Sequence, residues 1–285
     1  MMGNILKITV KIITLLIIGA LVAVIATVSI IGFFITTVHD NSDSVYRYSL
    51  SISTSEPVLN PVLLIPVPSY YNSVSGRNET VLDISMVGFR NFDRDNISVK
   101  IEYKDGVPMM NISAARIIPV YKNRIEPIMI TPEQNVSELP EPTHIYSDRY
   151  SEETPVSVPM EIHFYQSGIS PRIDTKDPAG KEPLFMPYRI LETFSEPEGF
   201  MYEDYYISGG TSSYAVEVPF ILSYDSGDEN ILSISTEFEG INQRWVLGWQ
   251  SNSYHERIRH EFKGSYNGTP CPVKGVLITG DGIYW

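Results

Sequence analysis

From Ile12 to Val38 the chain runs for 27 residues without a charged side chain (IITLLIIGALVAVIATVSIIGFFITTV). No other feature constrains folding as strongly, because a segment this long and this apolar has no place on the surface of a water-soluble domain. As an α-helix it would reach about 40 Å, against a hydrocarbon layer roughly 30 Å thick. Residues 12–38 are therefore expected to form a transmembrane signal-anchor helix, tilted or frayed at one end. The competing reading is a secretory signal peptide cut near Val24-Ile25-Ala26, but the apolar part of such peptides is only about 7–15 residues long.

The flanks suggest a direction. Lys7 and Lys11 precede the run, whereas His39, Asp40 and Asp43 follow it before Arg47 appears. Lys and Arg are retained on the cytoplasmic side. Residues 1–11 are thus expected to be a short cytoplasmic N-terminus, with the C-terminal part extracellular on a single-pass membrane protein. Within the run Gly19, Ala23 and Thr27 recur every fourth residue and share one helical face. Small side chains at that spacing let a second helix pack closely, although they are common in any membrane helix.

Beyond residue 44 the hydrophobic period changes to two. Tyr46, Tyr48, Leu50 and Ile52 alternate with polar residues, as do Leu82, Ile84 and Met86, and Ile97, Val99, Ile101 and Tyr103. Such alternation marks strands with one buried and one wet face, typical of antiparallel sheets. Asp105-Gly106 between two such runs predicts a tight hairpin. Near the C-terminus, 214–222, 231–238 and 244–249 read as strands, and 254–264 as a further one with Tyr254, Ile258 and Phe262 on its inner face. Between Pro127 and Pro197 lie 11 of the 20 prolines, a density hostile to long helices and central strands; one edge or bulged strand is expected at 156–166.

The fold class expected is all-β: one or two antiparallel β-sandwich-like domains behind a single N-terminal transmembrane helix. A membrane-proximal β domain would occupy 39–140, a Pro-rich connector with long loops 141–200, and a distal β domain 201–285, the last able to form one sandwich with the first.

Asn-X-Ser/Thr sequons occur at Asn78, Asn96, Asn111, Asn135 and Asn267, where roughly two would be expected by chance. Strand parity turns Asn96 and Asn111 away from Ile97, Met110 and Ile112, so both are expected to face water and accept a glycan.

The formal charge of −13 argues against nucleic acid as a partner, since phosphate binding relies on Lys and Arg. One cysteine, Cys271, excludes an internal disulfide, though not one between molecules. His255-Glu256 and His260 miss the zinc-peptidase HExxH spacing by one residue; a charged solvent face is expected there. No nucleophile elbow or phosphate loop is present, and no cofactor is implied. Acidic turns at 93–96 and at Asp225, Asp228 and Glu229 offer oxygen ligands to calcium, but without EF-hand spacing. All three tryptophans, Trp245, Trp249 and Trp285, fall in the last 41 residues. Trp245 and Trp249 on one strand face would be ordinary core anchors. Exposed beside Tyr254, they would instead form a platform for sugar rings. The terminal Ile283-Tyr284-Trp285 is expected to dock against the domain.

The functional expectation is a non-catalytic structural or protein-interaction role in a cell envelope or membrane complex. The bilayer is met through residues 12–38, together with a membrane-protein partner or a second copy of the chain. An anchored carbohydrate-binding module is the alternative. An exported hydrolase with dispersed carboxylates is a third reading.

Overall fold

The computed structural model describes residues 2–40, 42–124, 145–195, 198–207, 211–246 and 248–285. One helix, α1 (Met2–Asp40), opens the chain. Its segment Ile13–Phe33 has a mean hydropathy of 2.8 and buries nothing against the rest of the protein. It is long and apolar enough to cross a membrane.

The rest of the described residues form mainly strands. First come β1 (Ser42–Thr54), β2 (Val58–Pro66), β3 (Pro68–Asn72), β4 (Arg77–Thr80) and β5 (Gly88–Arg90). Next are β6 (Ile97–Lys104), β7 (Val107–Ala114), β8 (Arg116–Ile117) and β9 (Tyr121–Lys122). The Pro-rich stretch supplies β10 (Tyr146–Ser147), β11 (Val156–Ser157), β12 (Met160–Gln166), β13 (Leu184–Phe185) and β14 (Arg189–Phe194). A short hairpin, β15 (Phe200–Tyr202) and β16 (Tyr205–Ile207), precedes four long strands. These are β17 (Ser212–Asp225), β18 (Ile231–Trp245), β19 (Trp249–Lys263) and β20 (Tyr266–Gly282).

Twelve strands form one antiparallel sheet along the path β5-β12-β1-β18-β19-β20-β17-β2-β7-β6, with β14 beside β17 and β8 beside β2. Its two end strands both lay side chains, Phe89 from β5 and Ile97 and Val99 from β6, on the same hydrophobic core. The sheet therefore curls on itself, and the turn at 91–96 links its two ends. Early and late segments interleave, because β1 pairs with β18 and β2 with β17. The boundary expected near residue 140 lies outside the described residues.

The Pro-rich stretch enters the core. Ile173, Leu184 and Phe185 are buried, and the Phe185 ring meets Tyr48 and Phe238 edge-on at centroid distances of 6.2 and 6.5 Å. Three sheet side chains hold this segment. Tyr46 OH donates to Glu182 Oε2 at 2.6 Å, Tyr254 OH to the Pro183 carbonyl at 2.8 Å, and Phe185 N–H donates to Glu256 Oε2 at 2.7 Å. Across β18 and β19, Gly240 faces Tyr254. A Cβ at 240 would collide with the Tyr254 ring, so the missing side chain is the space that the ring fills.

Asp105-Gly106 forms the expected hairpin between β6 and β7, both residues at positive φ (52° and 78°) as a mirror-image turn requires. Three local expectations are corrected. Residues 82–86 are not a strand: the Asp83 carboxylate accepts from Ser85 N–H and caps a 3-10 turn, Ile84–Met86, a local bond that competes with sheet pairing. Residues 244–249 are not one strand but a hairpin end, with Trp245 paired to Trp249. Asn111 does not face water, being 7% exposed. Its Nδ2 donates to Glu102 Oε2 at 2.7 Å, so a glycan there would have to displace that contact and open the covered face of β7.

Candidate functional site

The outer face of β12, β1, β18 and β19 carries a charged groove of about 600 Å³. Alternation points Arg47, His163, Tyr165, Glu237, Glu239 and Arg257 outward, while Tyr48 and Phe164 beneath them are buried in the core. Register sets Arg47 opposite Glu239 and Glu237 opposite Arg257. Arg47 Nη1 lies 3.5 Å from Glu239 Oε2, and Arg257 Nε donates to Glu237 Oε1 at 2.5 Å. The Arg47 guanidinium also sits 6.0 Å from the Tyr165 ring centre. Burial raises the Glu239 carboxyl above its ordinary range and Glu237 adds to the shift, while Arg47 and Arg257 oppose it. The groove thus presents paired charges of both signs on the outer face of the sheet.

Beside this groove, β19 holds two buried ionisable groups. His255 is 7% exposed and its Nδ1 lacks a hydrogen-bond partner. Burial, reinforced by Arg257, pushes its imidazole down to about 4, so it is neutral at pH 7. Glu256 is fully buried and pushed up to about 8 by burial, against which the Phe185 N–H acts only in part. Its Oε1 has no partner. The expected charged solvent face is corrected here. Glu256 shares the inner face with Tyr254 and Ile258, and period-two parity could have shown it. His255 and Glu256 project to opposite faces and cannot meet on one ion.

At the end of the sheet where β1 begins, Trp245 and Trp249 are 43% and 67% exposed. Their rings are 5.6 Å apart in an edge-on arrangement. The core-anchor expectation for them is thus overturned, because both sit at a hairpin tip beyond the core. Tyr254 is 0% exposed and cannot belong to a surface platform. Two guanidinium groups lie over the Trp285 ring, Arg172 at 4.3 Å and Arg244 at 4.4 Å from its centre. Beneath them, Asn242 Nδ2 donates to the Ile173 carbonyl and to Asn252 Oδ1, both at 2.9 Å, and Asn252 Nδ2 donates to the Ile283 carbonyl at 3.0 Å. These amides dock the C-terminus on the sheet. Sequence reasoning had no signal for them, because their partners are distant in the chain.

The remaining candidates are dispersed. Asp225, Asp228 and Glu229 lie at the opposite end of the sheet, where Glu229 pairs with Lys263 at 2.7 Å. Among the described residues no group of three or more His, Cys, Asp or Glu could hold a metal ion. Asn96 and Asn267 are exposed and Asn78 is half-buried, whereas Asn135 lies outside the described residues. Asn267 Oδ1 accepts from the Thr269 hydroxyl of its own sequon at 2.8 Å. On α1, Gly19, Ala23 and Thr27 are exposed, and the Thr27 hydroxyl bonds back to the Ala23 carbonyl at 2.8 Å. Cys271 is a half-buried free thiol whose pKa burial raises.

Compared with known proteins, the chain matches no protein-family model, no curated protein and no solved structure.

Proposed function

We propose that this chain is a membrane-anchored cell-surface protein whose extracellular β body makes protein contacts within an envelope or membrane complex. One observation carries the reading: Ile13–Phe33 is apolar on every side and buries nothing against its own protein. Such a helix is stable only inside a protein core or a bilayer. Lys7 and Lys11 before the span, set against Asp40 and Asp43 after it, support an inside N-terminus and an outside body. The charged groove around Arg47 and Glu239 is a suitable protein-contact face, and Gly19, Ala23 and Thr27 are the helix-packing residues. Asn78, Asn96 and Asn267 are the proposed glycan acceptors.

Native mass of the full-length protein, gently solubilised from its own membrane, tests the assembly. A multimer or a complex with other polypeptides is expected, dispersed by Gly19→Leu with Ala23→Leu if the helix recruits the partner. A monomer, after correction for detergent and glycan, would remove the protein-contact role. Exposure of Trp245 and Trp249 favours a second reading, a sugar-binding surface, tested by whether soluble oligosaccharides change tryptophan emission.

A further inference from the structure

The tryptophan-bearing end of the β body lies where the chain leaves α1. Only Asn41 separates α1, which ends at Asp40, from β1, which begins at Ser42. Ser42 is the register partner of Arg244 on the adjacent strand β18. One further residue along β18 is Trp245, which therefore stands one residue nearer the helix end than Ser42 does. Neighbouring strands are about 4.8 Å apart. Trp245, and Trp249 paired with it, consequently stay within a side chain's reach of the helix exit whatever the tilt of the body.

The vertical level can be estimated too. Asp40, where α1 ends, lies two residues past Val38, the last of the uncharged run, or about 3 Å of helical rise. The polar layer on each side of the hydrocarbon is about 5–7 Å deep. This is the depth at which tryptophan, with an apolar ring and one N–H donor, is enriched.

The surroundings fit such a layer. Ile283 is 56% exposed beside this tip, with its N–H bonded to the Ser251 carbonyl at 2.8 Å. Arg172 and Arg244 lie over the Trp285 ring and place two cations where lipid phosphates lie. Acidic groups at this end include Asp43, Asp281 and Asp174; Asp174 is paired with Lys181 at 2.7 Å, and Lys176 adds a further cation 4.2 Å from the Tyr284 ring. Asp43 Oδ1 already accepts from Gly168 N–H at 2.8 Å.

We propose that this end of the β body, through Trp245, Trp249 and the Arg-covered Trp285, rests in the headgroup layer of the bilayer that α1 crosses. The proposal builds on the membrane-anchor reading. It fixes the height of the body above the membrane and turns the opposite end outward.

The three tryptophans are the only ones in the chain, so intrinsic emission reports on this end alone. The test uses full-length protein in phosphatidylcholine vesicles carrying nitroxide labels either near the headgroup or deep in the acyl chain. The shallow label is expected to quench the emission strongly and the deep label weakly. Trp245→Ala with Trp249→Ala should remove most of the quenchable signal while the protein still floats with the vesicles. Failure of the wild type to float would overturn both the anchor and this contact. Flotation with emission quenched by aqueous acrylamide but by neither lipid label would overturn the contact alone. Full quenching retained in the double variant would overturn the part assigned to Trp245 and Trp249. Emission altered by soluble oligosaccharides but not by lipid labels would assign the surface to sugars instead.

Discussion

The two ends of the long strands are built from the same sheet and differ in almost everything else. The end nearest α1 carries Trp245, Trp249 and Trp285, with two arginines over the ring of the last. The other end, about 45 Å away along β18, carries Asp225, Asp228 and Glu229 in a polar loop. Buried amides help to tie each end. Near α1 these are Asn242 and Asn252. At the far end Asn230 Oδ1 accepts from the Thr54 hydroxyl at 2.9 Å, the Ser55 hydroxyl at 3.0 Å and Glu56 N–H at 2.8 Å. What differs is what the loops show to their surroundings: amphipathic rings at one end, solvated acids at the other. That polarity suits a body held beside a membrane.

Between the ends lies a shared core, and the largest expected effects come from breaking it. Glu256 binds its proton more tightly when folded, so the native state carries the extra proton between pH 4.5 and about 8. Stability should fall as pH rises through that window, by at most about 5 kcal/mol, and level off above it. His255, pushed down to about 4, acts in the opposite sense: its contribution is lost as pH falls from 6.5 towards 4. Denaturant melts between pH 6.5 and 8 report chiefly on Glu256, below the range where Cys271 ionises. Glu256→Gln should flatten the decline, and an unchanged slope would show that the carboxyl does not carry it.

Phe185→Ala should remove about 3–5 kcal/mol by leaving a hole between Tyr48 and Phe238. Hydrogen exchange should then rise at both ends together; a rise at one end only would mean that they do not share one cooperative core. Asn230→Ala and Asn242→Ala should each cost about 1–3 kcal/mol, because each strands buried donors. Exchange should increase locally, at 54–56 for the first and at 173–175 for the second. Smallest of all, Lys263→Ala should change the melting temperature little, since the exposed pair with Glu229 contributes less than about 1 kcal/mol. Added calcium should not shift the melt; a rise would reveal an ion site in the acidic loop.

The same contrast shows what could be read in the sequence. Much of β17, β18 and β19 and the Asp105-Gly106 turn were legible, because alternation over many residues and positive-φ turn chemistry are local signals; β20 (Tyr266–Gly282) was not, because Gly268, Pro270, Pro272 and Gly275 interrupt its pattern. The Trp245–Trp249 hairpin was not, since Val246 and Gly248 supply neither Asn-Gly nor Asp-Gly to mark a reversal. Tyr254 was half legible: its parity with Ile258 and Phe262 placed it inside, at odds with a role beside exposed tryptophans. Glu256 has the same parity, but its charge suggested solvent. The core role of 182–185 could not be seen, because its bonds to the sheet, to Tyr46, Tyr254 and Glu256, each span at least 71 residues.

The most direct measurement is alkaline carbonate extraction of membranes from cells expressing the full-length chain, with the intact mass of the recovered protein and protease added outside sealed cells. The protein should stay in the membrane pellet with α1 uncleaved, and external protease should remove the β body. Release into the supernatant, a mass lacking the first helix, or a body protected from external protease would contradict an anchored protein with its sheet outside.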